Sequence, residues 1–365
     1  MIRVLQVVSD MNRGGIETML MNYYRNIDRE QLQFDFLINR PTAGAYEEEI
    51  RSLGGKFYFS PGLNPFHFQR YQQFMTELFV AHPEYRIIHA QNESMGYYSL
   101  YGAKKNNIPV RIAHSHNTRL QKDYKYPIKA YCNAHIKDVC NYEFACSHAA
   151  GAFMFRDRNY QVIQNAIDTD RFSFHPEHRN SIRLKHQLEG KFVVGTIGRL
   201  TKQKNQSYLL DIFKEILSII PNACLLIIGT GELLDFLKKK SFTLGIQDHV
   251  IFTGSIPNTY AYYSAMDVFV LPSLYEGLPV VGIEAQCAGL PCYVSSTITK
   301  ELCVTDAIHF LDIHRPPKDW AIQICDAMGY KRRDMKQQII SSGYDIATQA
   351  QKLTALYRSL YQTHS

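Results

Sequence analysis

The strongest constraint on this chain is a rhythm that runs through it twice: a short β-branched apolar run, a turn carrying glycine or polar residues, then a stretch of helical period. Residues 3–9, RVLQVVS, read as a buried first strand. They open into 10–15, followed by a helix from about Ile16 with Met19, Leu20, Tyr23 and Tyr24 on its apolar side. Further strands are predicted at 34–38, 56–59, 86–90, 110–113, 141–147 and 161–165. The rhythm restarts at 192–197 and continues through 223–228, 250–254, 268–271, 292–295 and 309–311. Apolar runs alternating with helices belong to parallel sheets covered on both faces. The polar stretch from Asn165 to about Gly190, containing His175-Pro176, reads as a linker. The fold class is therefore α/β, with two doubly wound parallel-sheet domains facing a cleft, residues 1–170 and 171–345. A last helix, about 346–365, carries Leu353, Leu356, Tyr357, Leu360 and Tyr361 on one stripe and must bury it.

With 365 residues, 45% of them hydrophobic and 20% charged, each domain can bury a core of its own. The net charge of +6 fits anionic ligands or an anionic membrane surface and is too modest for nucleic acid. None of the eight cysteines has CxxC spacing and several fall in apolar runs, so we expect reduced, mostly buried thiols. Met1-Ile2-Arg3 leads straight into a strand, with no signal peptide. No apolar run approaches the ~20 residues of a membrane span. The expected location is cytoplasmic, with any membrane contact peripheral.

Tyr275 to Pro291, YEGLPVVGIEAQCAGLP, joins a buried strand to a turn and a helix, an arrangement that places ligands at the carboxyl end of a parallel sheet. Glu284, early in the helix, can accept both hydroxyls of a ribose, and Glu276, in the turn, can accept hydroxyls of a second sugar. The plainer readings are a helix-dipole partner and a loop charge. A glycosidase pair ~5 Å apart is a chemical rival without a matching groove pattern. In the same half, Gly198 to Asn205 (GRLTKQKN) follows a strand, and Arg199 and Lys204 can converge there on a diphosphate or face solvent. Gly14 and Gly15 leave backbone amides approachable at a helix start, or form a plain turn. His114-Ser115-His116-Asn117 ends a strand, and both imidazoles share one side if the strand continues. A metal site competes there with a structural histidine, and no third ligand stands near in sequence. Residues 122–137 interleave lysines, Lys122 and Lys125 among them, with tyrosines. That pattern is either a basic surface for an anionic headgroup or charged acceptor, or a solvated helix face with its tyrosines inward.

Taken together, these segments resemble the retaining glycosyltransferases of family 4, the group 1 glycosyltransferases, which share the GT-B fold of two Rossmann-like domains. The match runs in the family's order over almost the whole chain: GGIET at 14–18, AHSH at 113–116, IQNAIDTDRF at 163–172, GRLTKQKN at 198–205, IIGTGEL at 227–233, FTGSIPN at 252–258, and then LPSLYEGLPVVGIEAQCAGLP. The resemblance implies a hexosyltransferase of the bacterial exopolysaccharide or capsule type. It would move a sugar from a UDP- or GDP-sugar to a saccharide or polyprenyl-linked acceptor, without metal or further cofactor; no DxD motif stands in a suitable loop.

By the same resemblance, Arg199 and Lys204 would bind the donor diphosphate, with Gly14 and Gly15 approaching it across the cleft. Glu284 would hold the ribose, and Glu276 the transferred sugar, with His114 beside it and His116 as the alternative. Asn205 and the backbone of Leu278, Val280 and Val281 would add donor contacts. The base would lie near Gly229, Gly231, Ser255 and Ile256, while Lys122 and Lys125 would serve the acceptor. The last helix would cross back onto the first domain and tie closure to donor binding. Two positions depart from the family pattern. Pro279 stands in EGLP where EGFG is usual, so any amide contact there is lost. Asn165-Ala166 replaces asparagine-glycine and stiffens that turn. A non-catalytic nucleotide-sugar-binding protein and a same-fold nucleotide-sugar epimerase are the alternatives. A dinucleotide oxidoreductase lacks its GxGxxG after the first strand.

Overall fold

A computed structural model describes residues 1–63, 67–120, 123–156 and 159–364. The chain divides into two units, Met1–Ala166 with Ile346–Ser365, and Ile167–Asp345. The first unit is built on β1 (Ile2–Val8), β2 (Leu32–Ile38), β3 (Phe57–Phe59), β4 (Ile87–Ala90), β5 (Val110–Ser115), β6 (Tyr142–Ala145) and β7 (Gln161–Val162). These strands pair in parallel in the order β3-β2-β1-β4-β5-β6-β7. The second unit contains β8 (Phe192–Ile197), β9 (Ala223–Ile228), β10 (Val250–Gly254), β11 (Val268–Leu271), β12 (Cys292–Ser295) and β13 (Ile308–Leu311). They too are parallel, in the order β10-β9-β8-β11-β12-β13.

Strands β2, β8 and β9 are buried from end to end; β9 reads as an unbroken apolar run, whereas β2 carries Gln33 and Asp35 within it, Asp35 paired with Arg3 at 2.6 Å. Each sheet reverses its strand order once, between β1 and β4 and between β8 and β11. Ligands bind beyond the carboxyl ends of strands at such points. The loops after β8 and β11 thus become the first candidates in the second unit, and those after β1 and β4 in the first.

In the first unit, the helices Gly15–Asn26 and Ile346–Thr363 pack on one core with β1 and β2. Met19, Leu20 and Tyr23 of the former and Leu353, Tyr357 and Leu360 of the latter are buried with Val4, Phe34 and Phe36. Each such side chain contributes roughly 1.5–3 kcal/mol by leaving water. The second core gathers Phe213, Leu225, Leu237 and Trp320.

Several expectations change. β5 runs on through Ser115, so His114 lies inside the strand rather than past its end. β7 is only Gln161–Val162. The stretch read as a linker holds two helices, Thr169–Phe172 and Pro176–Lys185. Arg179 and Arg183 on the second of these meet Asp267 at 2.7 and 2.6 Å, and Asp267 also accepts from the Val193 amide at 2.7 Å. The charges that made this segment look solvated are its anchors. None of the eight cysteines forms a disulfide, and six are buried. No helix among the described residues is long and apolar enough to cross a membrane.

Candidate functional site

In the second unit the loops after β8, β9 and β11 are locked together by their backbones. Gly198 N donates to the Ile228 carbonyl at 2.9 Å, Leu200 N to Thr230 at 2.9 Å, and Leu233 N to Leu200 at 3.1 Å. A Cβ on Gly229 would stand 2.0 Å from the Gly198 oxygen, and one on Gly231 2.3 Å from the Leu200 oxygen. Loop-on-loop contact therefore demands glycine at both positions.

Asn205, at φ +55°, precedes the helix Gln206–Ile219, and its Nδ2 donates to the Pro272 carbonyl at 3.2 Å. The amide of Leu274 donates to Gln203 at 2.8 Å, and Gln203 Nε2 returns a bond to the Tyr275 carbonyl at 3.0 Å. These ties hold the loop after β8 against the loop after β11. They bring Lys204 Nζ to 2.6 Å from Glu276 Oε1, with both side chains largely buried. Arg199 is exposed, and its guanidinium has no hydrogen-bond partner among the described residues. Its carbonyl is fixed by Gln206 Nε2 at 3.0 Å.

Glu284 lies in the helix Val280–Cys287, for which Pro279 is the capping residue. The missing N–H of Pro279 costs the helix nothing, because first-turn amides have no partner within a helix. Its carbonyl accepts from Gly282 N at 3.0 Å. Glu284 is buried, and Tyr263 donates its hydroxyl to Oε2 at 2.6 Å. Burial pushes this carboxyl up to about 7, against the pull of that hydrogen bond. Leu278 and Val280 are buried and Val281 is half-buried at the same helix start, while Ser255 is exposed and Ile256 half-buried after the edge strand β10. Sequence reasoning missed Gln203 and Tyr263, because neither is charged and each acts through a partner on another element.

In the first unit, Gly14 caps the helix that Gly15 begins. A methyl group on Gly15 would meet nothing within 4 Å, so packing does not require glycine there. His114 and His116 do face one side, with ring centroids 4.1 Å apart. A third histidine, His89 on the neighbouring β4, places Nε2 3.1 Å from His114 Nδ1. His116 Nε2 lies 2.9 Å from Gln91 Oε1. Burial holds all three imidazoles neutral, pushing His116 down to about 3 and the other two well below the ordinary value. The rings stack and bond to one another instead of converging on a cation. His116 is satisfied, whereas His114 Nε2 is buried with no partner among the described residues. The signal for His89 was a polar residue inside an apolar run.

One trio among the described residues, His175, Glu177 and His178, has metal-capable atoms close together. His175 already spends Nε2 on the Asp170 carbonyl at 3.1 Å and Nδ1 on Glu177 at 3.4 Å. Lys122 lies outside the described residues. Lys125 precedes the helix Tyr126–His135, and Lys129 pairs with Asp123 at 2.7 Å. The tyrosines there do not all turn inward: Tyr124 is 86% exposed and Tyr131 53%.

Two parallel α/β units, one with a lysine–glutamate pair and a buried carboxylate beyond its switch point, follow the plan of the GT-B glycosyltransferases. The fold agrees with solved structures. HepE of Anabaena in complex with UDP-glucose superposes with a TM-score of 0.82 at 18% identity, covering 98% of this chain and all of that one. Sucrose-phosphate synthase from Thermosynechococcus elongatus gives 0.77 at 15% identity over the whole of both chains. The model of glycosyltransferase family 4 matches residues 13–171, and that of glycosyl transferases group 1 matches 178–306. EpsF of Bacillus subtilis, a glycosyltransferase by assignment, is 30% identical over 97% of this chain and 96% of its own. An Escherichia coli enzyme named UDP-Gal:alpha-D-GlcNAc-diphosphoundecaprenol alpha-1,3-galactosyltransferase is 30% identical over 58% of each chain. The protein belongs to the family 4, group 1 glycosyltransferases.

Proposed function

We propose that the protein transfers a hexosyl group from a UDP- or GDP-sugar to a saccharide or polyprenyl-linked acceptor, in surface polysaccharide synthesis, with retention at the anomeric carbon and without a metal. The observation that carries this reading is the Lys204–Glu276 pair at 2.6 Å, beyond the switch point whose next helix holds Glu284. A diphosphate entering there draws Lys204 away and frees the Glu276 carboxylate to accept hydroxyls of the transferred sugar. Glu284 takes the ribose hydroxyls. As the bond from C1 to the diphosphate breaks, Arg199, Lys204 and the first-turn amides of the helix Val280–Cys287 meet the charge that develops. The acceptor oxygen bonds C1 from the same face, and its proton passes to a donor phosphate oxygen, so no protein nucleophile is needed. The UDP-glucose bound to HepE and the lipid-diphosphate acceptor in the name of the Escherichia coli enzyme motivate these classes of donor and acceptor. Exposed Tyr124 and Tyr131 beside Lys125 support peripheral contact with an anionic membrane.

A thermal-shift panel of UDP- and GDP-sugars identifies the donor, since a ligand stabilises by RT ln(1 + [L]/Kd). Transfer is then followed with EDTA present. Release of the nucleoside diphosphate is the expected result. Binding without release from any donor reduces the protein to a nucleotide-sugar binder, and interconversion of donor sugars without release makes it an epimerase. Rates abolished by EDTA refute the metal-free mechanism.

A further inference from the structure

We infer that His175, Glu177 and His178 form a binding site for one divalent transition-metal ion, best suited to zinc, on the second unit, and that the ion fastens the first turn of the helix Pro176–Lys185 to the chain before it. The site stands apart from the transfer reaction, since its residues belong to neither the loop after β8 nor the loop after β11. One metal-capable atom from each of the three residues lies within 4.8 Å of the others. The two imidazoles share a side, with ring centroids 5.0 Å apart. Their backbone is set in advance: His175 caps the helix, Pro176 is its first residue, and the His175 amide donates to Ser264 Oγ at 3.2 Å.

The placement of protons favours an ion. His175 Nε2 faces the Asp170 carbonyl at 3.1 Å, and a carbonyl only accepts, so Nε2 carries the proton. A neutral ring then turns the lone pair of Nδ1 toward the Glu177 carboxylate, 3.4 Å away. Two acceptors facing each other repel unless a second proton or a cation stands between them. A zinc ion bonded at about 2.0–2.2 Å spaces tetrahedral ligands by about 3.3–3.5 Å, which is the separation that His175 and Glu177 already have. A backbone bond to the other ring nitrogen is also what holds a ligating histidine in its tautomer. His178 Nδ1 is buried with no hydrogen-bond partner among the described residues. A buried atom left unpaired is unfavourable, and a metal bond to it relieves that. Two imidazoles and one carboxylate leave a fourth position for water, a ligand set that zinc accepts. Glu177 is exposed, so its side chain can turn to close the remaining gap. Two features oppose a cation: the positive end of the helix, and Arg171, whose guanidinium sits 4.4 Å from the Tyr260 ring that packs on His178. The expected dissociation constant is therefore about 10 µM and not lower.

Equilibrium dialysis of the full, untagged chain against zinc chloride should show one bound ion per chain. Zinc-edge X-ray absorption of the loaded wild type should show only nitrogen and oxygen ligands, two of them imidazoles, at about 2.0–2.2 Å. Sulfur at about 2.3 Å would place the ion on a cysteine such as the exposed Cys303 and overturns the proposal, and this measurement needs no variant to fold. Saturating zinc should raise the melting temperature by about 2–4 °C and slow amide exchange in the first turns of the helix Pro176–Lys185. Zinc that binds without slowing exchange there overturns the fastening of the helix. His178→Gln and, separately, Glu177→Gln should weaken binding by at least about tenfold. No bound zinc at concentrations up to about 1 mM, or wild-type affinity in a folded protein carrying both His175→Gln and His178→Gln, also overturns the proposal.

Discussion

Glu284 sets stability against function. Its ordinary value is 4.5 and burial raises it to about 7. The native protein therefore keeps a proton that the unfolded chain has lost. The stability contributed by this group is full below the unfolded value and is lost as pH rises through about 7. A shift of that size corresponds to roughly 3 kcal/mol. Glu284→Gln removes the charge and should raise the melting temperature at pH 8 while abolishing the shift given by a nucleotide sugar; a variant that still binds like the wild type refutes the ribose role. Wild-type affinity for the donor, followed by calorimetry, should increase from pH 6 to 8, because the ionised carboxylate accepts two hydroxyls. Lys204→Met should lower turnover at least about a hundredfold. It should also destabilise the protein by about 1–3 kcal/mol, since it strands a largely buried Glu276. Adding Glu276→Leu should recover most of the stability and none of the activity, as urea melts and nucleotide-release assays would show. Arg199, Lys204, Glu276 and Glu284 stand out as candidates in the sequence because each is a charge in the turn or helix that follows an apolar strand. Tyr263, Gln203 and His89 do not, because a neutral polar residue declares its role only once another element supplies its partner.

At the scale of elements, the strands β2, β8 and β9 were readable because they are buried on both faces. The helix Pro176–Lys185 was misread for the opposite reason. Its arginines look like solvent-facing charges in the sequence, and only the fold supplies Asp267, more than eighty positions on, as their shared acceptor. Asp267→Asn should cost about 2–3 kcal/mol in urea denaturation, a value reduced by the partial exposure of the cluster. Both arginines also hold backbone carbonyls, Arg179 that of Met266 at 3.0 Å and Arg183 that of Ala265 at 2.9 Å, and Arg179→Ala alone should cost less than Arg183→Ala because Arg183 is the more buried of the two. Equal effects would mean that Asp267, and not the arginine bonds to the backbone, fixes the helix. The glycines at 229 and 231 show how a motif can be seen and its cause missed. In the sequence the resemblance marks them only as neighbours of the base, and the fold adds that the backbone of Gly198 and Leu200 fills the space a side chain there would need.

For the whole molecule, the final helix was legible as an apolar stripe in need of a surface, and Leu353, Tyr357 and Leu360 find that surface on the first unit. Leu353→Ala should cost about 2–4 kcal/mol in that unit. A chain stopped after Asp345 should lose the thermal transition of the first unit and keep hydrogen-exchange protection in β8, β9 and β11. Protection retained throughout would show the helix to be dispensable. The arrangement has a consequence for synthesis. Domains usually fold in the order in which the ribosome delivers them. Here the first unit cannot close until residues near Leu360 have emerged, after every residue of the second unit. The nascent protein therefore carries an unfinished amino-terminal sheet, its apolar face bare, for as long as translation of the second unit lasts, and the earliest part of the chain is the last to become protected.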